Sequence, residues 1–464
     1  MRTKFVNTML IALVIFSIIS CKKFVEIDPP KTDIILSEAF KEDNAATSAV
    51  LGIYTNMLSN TNFENSGITI FSGLSADELQ DFTNNAEQLE FQRNQILPIN
   101  NTLSSMWSGA FTNLVLINTC IEGLESSTTL SNAVKAQLIG ECKFSRAFLN
   151  FYLLNLWDKI PLVTSSDWRL NAVIAQSDTE EVYSAIINDL KAAQSSLSEN
   201  YPTSGKVRPN KWAATALLAR AYLYHREYAA AEVEASTIIE SGVYGPLAGT
   251  EEVFLKDSHE AIWQLMPTIQ NLVLNTTEGD LFLRDIDQGS VPNYIITKKL
   301  LNSFEATDQR KISWINQVDV SDETYFYPFK YKDRGSFGVA PTEYYVMLRL
   351  AEQYLIRAES RVQLGKLTES MNDLNVIRNR AGLSRVQEIV SAVDKDNLLS
   401  AVENENRHEF FIEWGHRWMD LKRTGRINAV MSTDKPTWKA ISANFPIPQS
   451  ELNVNRKLIQ NPGY

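Results

Sequence analysis

Apolar residues recur at helical spacing through Ala39 to Leu58, Leu103 to Leu124 and Leu130 to Trp157, and each stretch predicts a long amphipathic helix. Ser177 to Glu180 reads as a capping box. It opens a helix in which Val182, Ile186, Ile187, Leu190 and Leu197 share one stripe. Lys211 to Tyr224 (KWAATALLARAYLY) is apolar on nearly every side, which places it in the middle of the molecule. Gly205, Gly242, Gly245 and Pro246 punctuate the ends of these segments. The pattern predicts an all-α, mostly helical fold.

Two segments are alike. Ala219-Arg-Ala-Tyr-Leu and Ala351-Glu-Gln-Tyr-Leu each lie in a helix followed by a turn and a second helix, a pairing that resembles a tetratricopeptide unit. Ala230, Ala231 and Ala235 in one second helix, with Met371 and Leu374 in the other, allow close packing on the first. Because the pairs stand far apart in the chain, they are not expected to stack as a solenoid, whose repeats share a core with their neighbours. Between them, roughly 243–341, the periodicity breaks into short segments such as DQGSVPN and DRGSFGVAP. Residues 61–101 form a second irregular stretch, with Asn62, Asn65, Asn84, Asn85, Asn94, Asn100 and Asn101 among aromatic residues. Long irregular insertions on a helical scaffold are usually functional surfaces.

The amino terminus has a different character. Arg2 and Lys4 precede an apolar run from Met9 to Ile19, too short to span a bilayer, so residues 1–20 read as an export signal peptide. Cys21 follows Ser20 at the junction, which resembles a lipobox, in which the Cys thiol takes the lipid; plain signal-peptidase cleavage is the alternative. Pro29 and Pro30 then make an extended tether. Residues 21–464 are expected to form one body carrying the insertion at about 243–341. Cys120 and Cys142 sit in apolar helical patterns and are structural, as a disulfide or as buried thiols.

Composition excludes several classes of function. The 44 basic and 55 acidic residues give a formal charge of -11, with no basic tract to counter a phosphate backbone, so nucleic acid is not an expected partner. The four histidines form no metal-ligating spacing, and no Walker or nucleophile-elbow motif occurs, so neither metal nor cofactor is expected.

A run of motifs in order resembles the SusD/RagB family. It opens at Cys21-Lys-Lys-Phe-Val-Glu-Ile-Asp-Pro-Pro and continues through Glu141-Cys-Lys-Phe-Ser-Arg-Ala-Phe, Trp157-Asp-Lys-Ile-Pro and Lys211-Trp-Ala-Ala. Its later parts are Arg349-Leu-Ala-Glu-Gln-Tyr-Leu, Asn375-x-x-Arg-x-Arg-Ala-Gly, Arg407-His-Glu-Phe-Phe-Ile-Glu-Trp-Gly-His-Arg-Trp-Met-Asp-Leu and Phe445-Pro-Ile-Pro. The resemblance implies a helical, tetratricopeptide-like scaffold, lipid-anchored at the outer membrane and facing outward, that captures a nutrient and passes it to a TonB-dependent β-barrel transporter of the SusC-like type. Glycans are the implied ligand, with peptides the alternative. No catalytic residue is implied.

The ligand site must be argued locally. Glycan capture needs flat apolar faces for the C–H side of a sugar ring, flanked by amides and guanidinium groups for its hydroxyls. Phe82, Asn84, Asn85, Gln88 and Arg93 supply these in the first irregular stretch, and Trp314, Asn316, Gln317, Tyr325 and Tyr327 in the second, beside Asp308-x-Arg310. Glu409 and Glu413, spaced to share a helical face, invite a glycosidase reading. Arg407, Arg417 and Arg423 oppose it, since they can neutralise Glu409, Glu413 and Asp420 in a structural network, with His408 and His416 as core residues.

Overall fold

The computed structural model describes residues 38–59, 63–267, 275–283, 286 and 290–464. The export segment, Cys21, the tether and Asn62 lie outside these residues. Helices dominate: α1 (Asp43–Ser59), α2 (Gly67–Ser75), α3 (Ala86–Gln92), α4 (Asn101–Ser126), α5 (Asn132–Trp157), α6 (Thr179–Ser196), α7 (Lys211–Tyr224), α8 (Tyr228–Glu240), α9 (Leu350–Gln363), α10 (Leu367–Arg380), α11 (Lys395–Glu409) and α12 (His416–Arg423). Short antiparallel pairings join β1 (Leu79–Asp81) to β3 (Tyr294–Ile296), β2 (Ala261–Leu265) to β6 (Tyr345–Arg349), and β4 (Ile315–Val320) to β5 (Glu323–Pro328).

The three long helices form within a few residues of their expected bounds. Asn100 caps α4 by accepting from Leu103 N at 3.0 Å, and Asn210 caps α7 by accepting from Ala213 N at 3.0 Å. The capping box before α6 is a correction: Ser177 pairs as a strand residue with Ile160, Asp178 stands at the N-cap, and the Asp178 carboxylate reaches Lys159 instead. The α6 stripe is buried as expected. So is α7, from Ala213 to Tyr224.

The two helix pairs do stack, which corrects the expectation from their separation. α5, α6, α7, α8, α9 and α10 pack in succession, because the chain between α8 and α9 leaves the stack and returns through β6. Arg220 on α7 meets Glu352 on α9 at 2.5 and 2.7 Å, both buried. Arg361 on α9 bridges Glu232 on α8 and Asp373 on α10. Repeat packing needs neighbours in space, and here the insertion closes on itself and restores them.

One large apolar cluster runs through α1, α4–α8 and the central strands, and a second joins α9, α10 and α11 through Leu355, Val362, Leu374, Ile377, Leu398 and Val402. Each such side chain contributes roughly 1.5–3 kcal/mol on burial. Cys120 and Cys142 are buried free thiols. Residues 61–101 are less irregular than expected: α2 (GITIFSGLS) is buried on every side, so it has no amphipathic period to read. Among the described residues, no helix is long and apolar enough to cross a membrane.

Candidate ligand-binding cleft

Phe82 follows β1, and its amide donates to Asn293 O at 2.8 Å, extending the pairing with β3. Asp81 then turns the chain, its Oδ1 accepting from Thr83 N at 2.9 Å and Thr83 Oγ1 at 2.6 Å. Asn84 adopts a left-handed conformation (φ 58°) on this turn. Asn85 caps α3 by accepting from Glu87 N at 2.9 Å, and α3 carries Arg93 to its C-terminal end.

The second aromatic arrives on the β4–β5 hairpin. Ser321 and Asp322 both have positive φ (50° and 68°), the geometry of a tight hairpin turn, and register Tyr325 opposite Val318. Phe82 and Tyr325 meet edge to face, with ring centroids 5.7 Å apart. Phe82 is 41% exposed, so part of its apolar ring is open to solvent. The two rings stand on a cleft of about 970 Å³ that also receives Arg93, Lys298, Lys299, Lys435 and Thr437.

Three sequence-predicted residues, Phe82, Arg93 and Tyr325, are therefore brought together from both irregular stretches. Gln88 lies apart from the lining and accepts from Tyr294 Oη at 2.8 Å, while Asn84 is exposed on the neighbouring turn. Gln317 is exposed on the hairpin opposite Phe326, and Asn316 uses its Oδ1 on Gln317 N at 2.8 Å. Trp314 is a correction. It is fully buried, donates Nε1–H to Thr250 O at 2.7 Å, and packs between Phe254 and Phe411 with Lys330 Nζ 4.9 Å from its ring. Tyr327 is a second correction, only 4% exposed and edge-on to Phe329. Trp314 ends a short helix, Gln309–Trp314, and Tyr327 lies near the base of β5, where the hairpin joins the scaffold.

The cleft also contains lysines that sequence reasoning missed. Lys298 and Lys299 begin the helix after β3, and Lys435 and Thr437 come from the C-terminal region; no motif flags them. Lys299 pairs with Asp434 and lies 3.7 Å from Asp77. Burial works against ionisation of Asp77, yet Arg417, Arg407 and Lys299 outweigh it and hold its carboxyl at about 2.

Comparison with known proteins now places the chain. Residues 33–223 match a family model described as starch-binding and associating with the outer membrane, and residues 315–464 match the model of the SusD family. The chain belongs to the SusD/RagB family. It is 23% identical to SusD-like protein P25 of Formosa agariphila, across 99% of this chain and 100% of that protein. A SusD superfamily crystal structure from Bacteroides vulgatus superposes with a TM-score of 0.78 at 19% identity, covering 92% of this chain and 100% of the other. A structure described as a laminarin binding SusD-like protein superposes with a TM-score of 0.75 at 20% identity, covering 91% and 100%.

In this SusD/RagB member the acidic cluster of the late motif is tied up in ion pairs. α11 ends at Glu409, so Glu409 and Glu413 do not share a helical face. They converge on Arg349 instead, whose Nε donates to Glu413 at 2.8 Å and whose Nη1 donates to Glu409 at 2.5 Å. Arg380 and Arg310 also reach Glu409, and Lys330 reaches Glu413. The expected partners were different: Arg407 and Arg417 pair with Asp77, and only Arg423 meets its expected acid, Asp420. Burial raises both glutamates, but the surrounding cations win and hold both below the usual carboxylate range. Neither is a proton donor near neutral pH. His408 and His416 are buried against Phe304 and Phe410, and burial lowers both, His408 to about 3. Among the described residues, no group of three or more His, Cys, Asp or Glu is placed to hold a metal ion.

Proposed function

We propose that this protein is a cell-surface lipoprotein, not an enzyme, that captures an oligosaccharide or polysaccharide in the Phe82–Tyr325 cleft and delivers it to a SusC-like, TonB-dependent outer-membrane transporter. The observation that carries the reading is the exposed Phe82 ring meeting Tyr325 over a cleft with polar and cationic walls. A sugar presents an apolar C–H face and a polar rim, and the cleft supplies both complements. Family membership and the laminarin-binding neighbour support carbohydrate as the ligand class. Cys21 beside Ser20 supports the lipid anchor, and the anchor supports a membrane partner.

The chain lacking residues 1–21 is tested by calorimetry against laminarin, starch and a broad set of soluble polysaccharides. Phe82→Ala and Tyr325→Ala each weaken binding about 3- to 10-fold with the fold intact, the worth of one aromatic contact. Saturable binding of casein-derived peptides with no glycan bound would replace this reading with peptide uptake. Palmitate labelling of the full chain is lost in Cys21→Ala, and the chain co-purifies with a β-barrel protein; purification alone from outer membranes would remove the transporter from the proposal.

A further inference from the structure

The charges around the cleft are unevenly matched. Among the described residues three acids line it, and two are engaged from nearby: Asp77 is held from beneath by Arg407 and Arg417, and Asp434 by Lys299. The third, Glu323, accepts from Tyr325 Oη at 2.7 Å. Against these, Arg93 and Lys298 are exposed and pair with no carboxylate among the described residues. Lys435 is half-buried and places two of its three donors on carbonyls, Leu74 O at 2.8 Å and Gln92 O at 2.9 Å, which leaves one for a ligand. Among the described residues, three cations that make no direct ion pair thus face one concavity in a chain whose formal charge is -11. Like charges gathered at one place repel, and a cleft with low-dielectric walls focuses their field on whatever enters.

Their placement beside the two rings specifies the ligand further. We infer that the cleft selects an acidic glycan, whose rings rest on Phe82 and Tyr325 and whose carboxylate or sulfate substituents are taken by Arg93, Lys298 and Lys435. The inference rests on the glycan reading and narrows it. Arg93 offers a planar fork that fits either substituent, and Lys298 a mobile point charge. Selection arises because the described lining carries four cations against three acids, one of which, Asp77, is already held by Arg407 and Arg417, so a neutral sugar leaves positive charge unneutralised.

The test measures the full set of charges as a difference. Oligogalacturonate is compared with its carboxyl-reduced form, and a sulfated galactan oligosaccharide with its desulfated form, by calorimetry at low and high salt. The wild-type chain binds at least one acidic probe about tenfold more tightly than its neutral counterpart, and added salt weakens only the acidic one. The arm that shows the preference names the substituent. Arg93→Gln with Lys298→Gln brings the acidic and neutral forms to equal affinity, whereas Phe82→Ala weakens both forms and keeps their ratio. Arg93→Lys with Lys298→Arg, which keeps both charges, restores the preference. Equal binding of acidic and neutral forms in both arms, with loss in Phe82→Ala, overturns the inference and leaves the glycan reading standing. So does a preference that survives the double Gln substitution. Absence of any glycan binding, or binding untouched by Phe82→Ala, overturns both.

Discussion

Replacing Glu409 by Gln removes one charge from a buried set that is balanced as folded. Arg310, Arg349, Arg378, Arg380 and Lys330 are matched by the buried acids Glu260, Asp308, Glu405, Glu409 and Glu413, with the more exposed Glu305 also reaching Arg378 from the rim. Glu409 is 0% exposed and receives three guanidinium groups. Without its charge, Arg349 and Arg380 still share Glu260, at 3.2 and 3.6 Å, but the five cations face four acids in a dry interior. Breaking a buried pair in this way costs about 3–5 kcal/mol. With an unfolding entropy of roughly 2.1 cal/mol/K per residue, that lowers the melting temperature of so long a chain by only about 3–5 °C, so urea unfolding followed by circular dichroism is the sharper assay. Glu323→Gln, on the exposed hairpin, is the control and stays within about 0.5 kcal/mol. The pH dependence adds a second check. The cations hold the folded Glu409 carboxyl below its ordinary value, so its contribution is fully present above the unfolded pKa and is lost as pH falls toward the folded one. The gap between wild type and variant therefore persists from pH 8 to about pH 5 and closes only in stronger acid. A Glu409→Gln midpoint indistinguishable from that of Glu323→Gln would refute the reasoning.

Three further outcomes are expected. Burial, with the neighbouring Asp77 charge, pushes Glu78 up to about 8, above its unfolded value; wild type therefore loses stability as pH rises from about 4.5 to 8, and Glu78→Gln flattens that slope in urea titrations. Trp314→Ala destabilises the chain by about 3–5 kcal/mol by emptying a core site, read from the urea midpoint; a variant of wild-type stability would refute the core assignment. Burial lowers Lys435 to about 8, opposed by Asp77 and Asp434, so its charge is present at pH 7 and lost above pH 8. Affinity for an acidic glycan accordingly falls between pH 7 and 9 in calorimetry, while affinity for a neutral one does not change.

The long helices were legible because an amphipathic stripe is a local record of which side faces the core: Val182, Ile186 and Leu190 carry that information within three turns. α7 was legible from its composition, since a helix with no polar face has no side to give to water. The family, too, could be recognised from motifs in order. What could not be read was which distant segments meet. Sequence proximity pairs Arg407 with Glu409 and Glu413, yet its partner is Asp77, 330 residues away. Arg349 serves Glu409 and Glu413 across a chain reversal that no periodicity announces. Trp314 and Tyr325 looked equivalent as aromatics of one irregular stretch, and the tertiary structure separated them: one ring plugs the insertion onto the scaffold, the other reaches the surface beside Phe82. Helices and the residue types available to a site are written in the chain, because they depend on near neighbours. Which cations and rings share a cleft emerges on folding, because it depends on contacts between chain segments whose separation leaves no local trace.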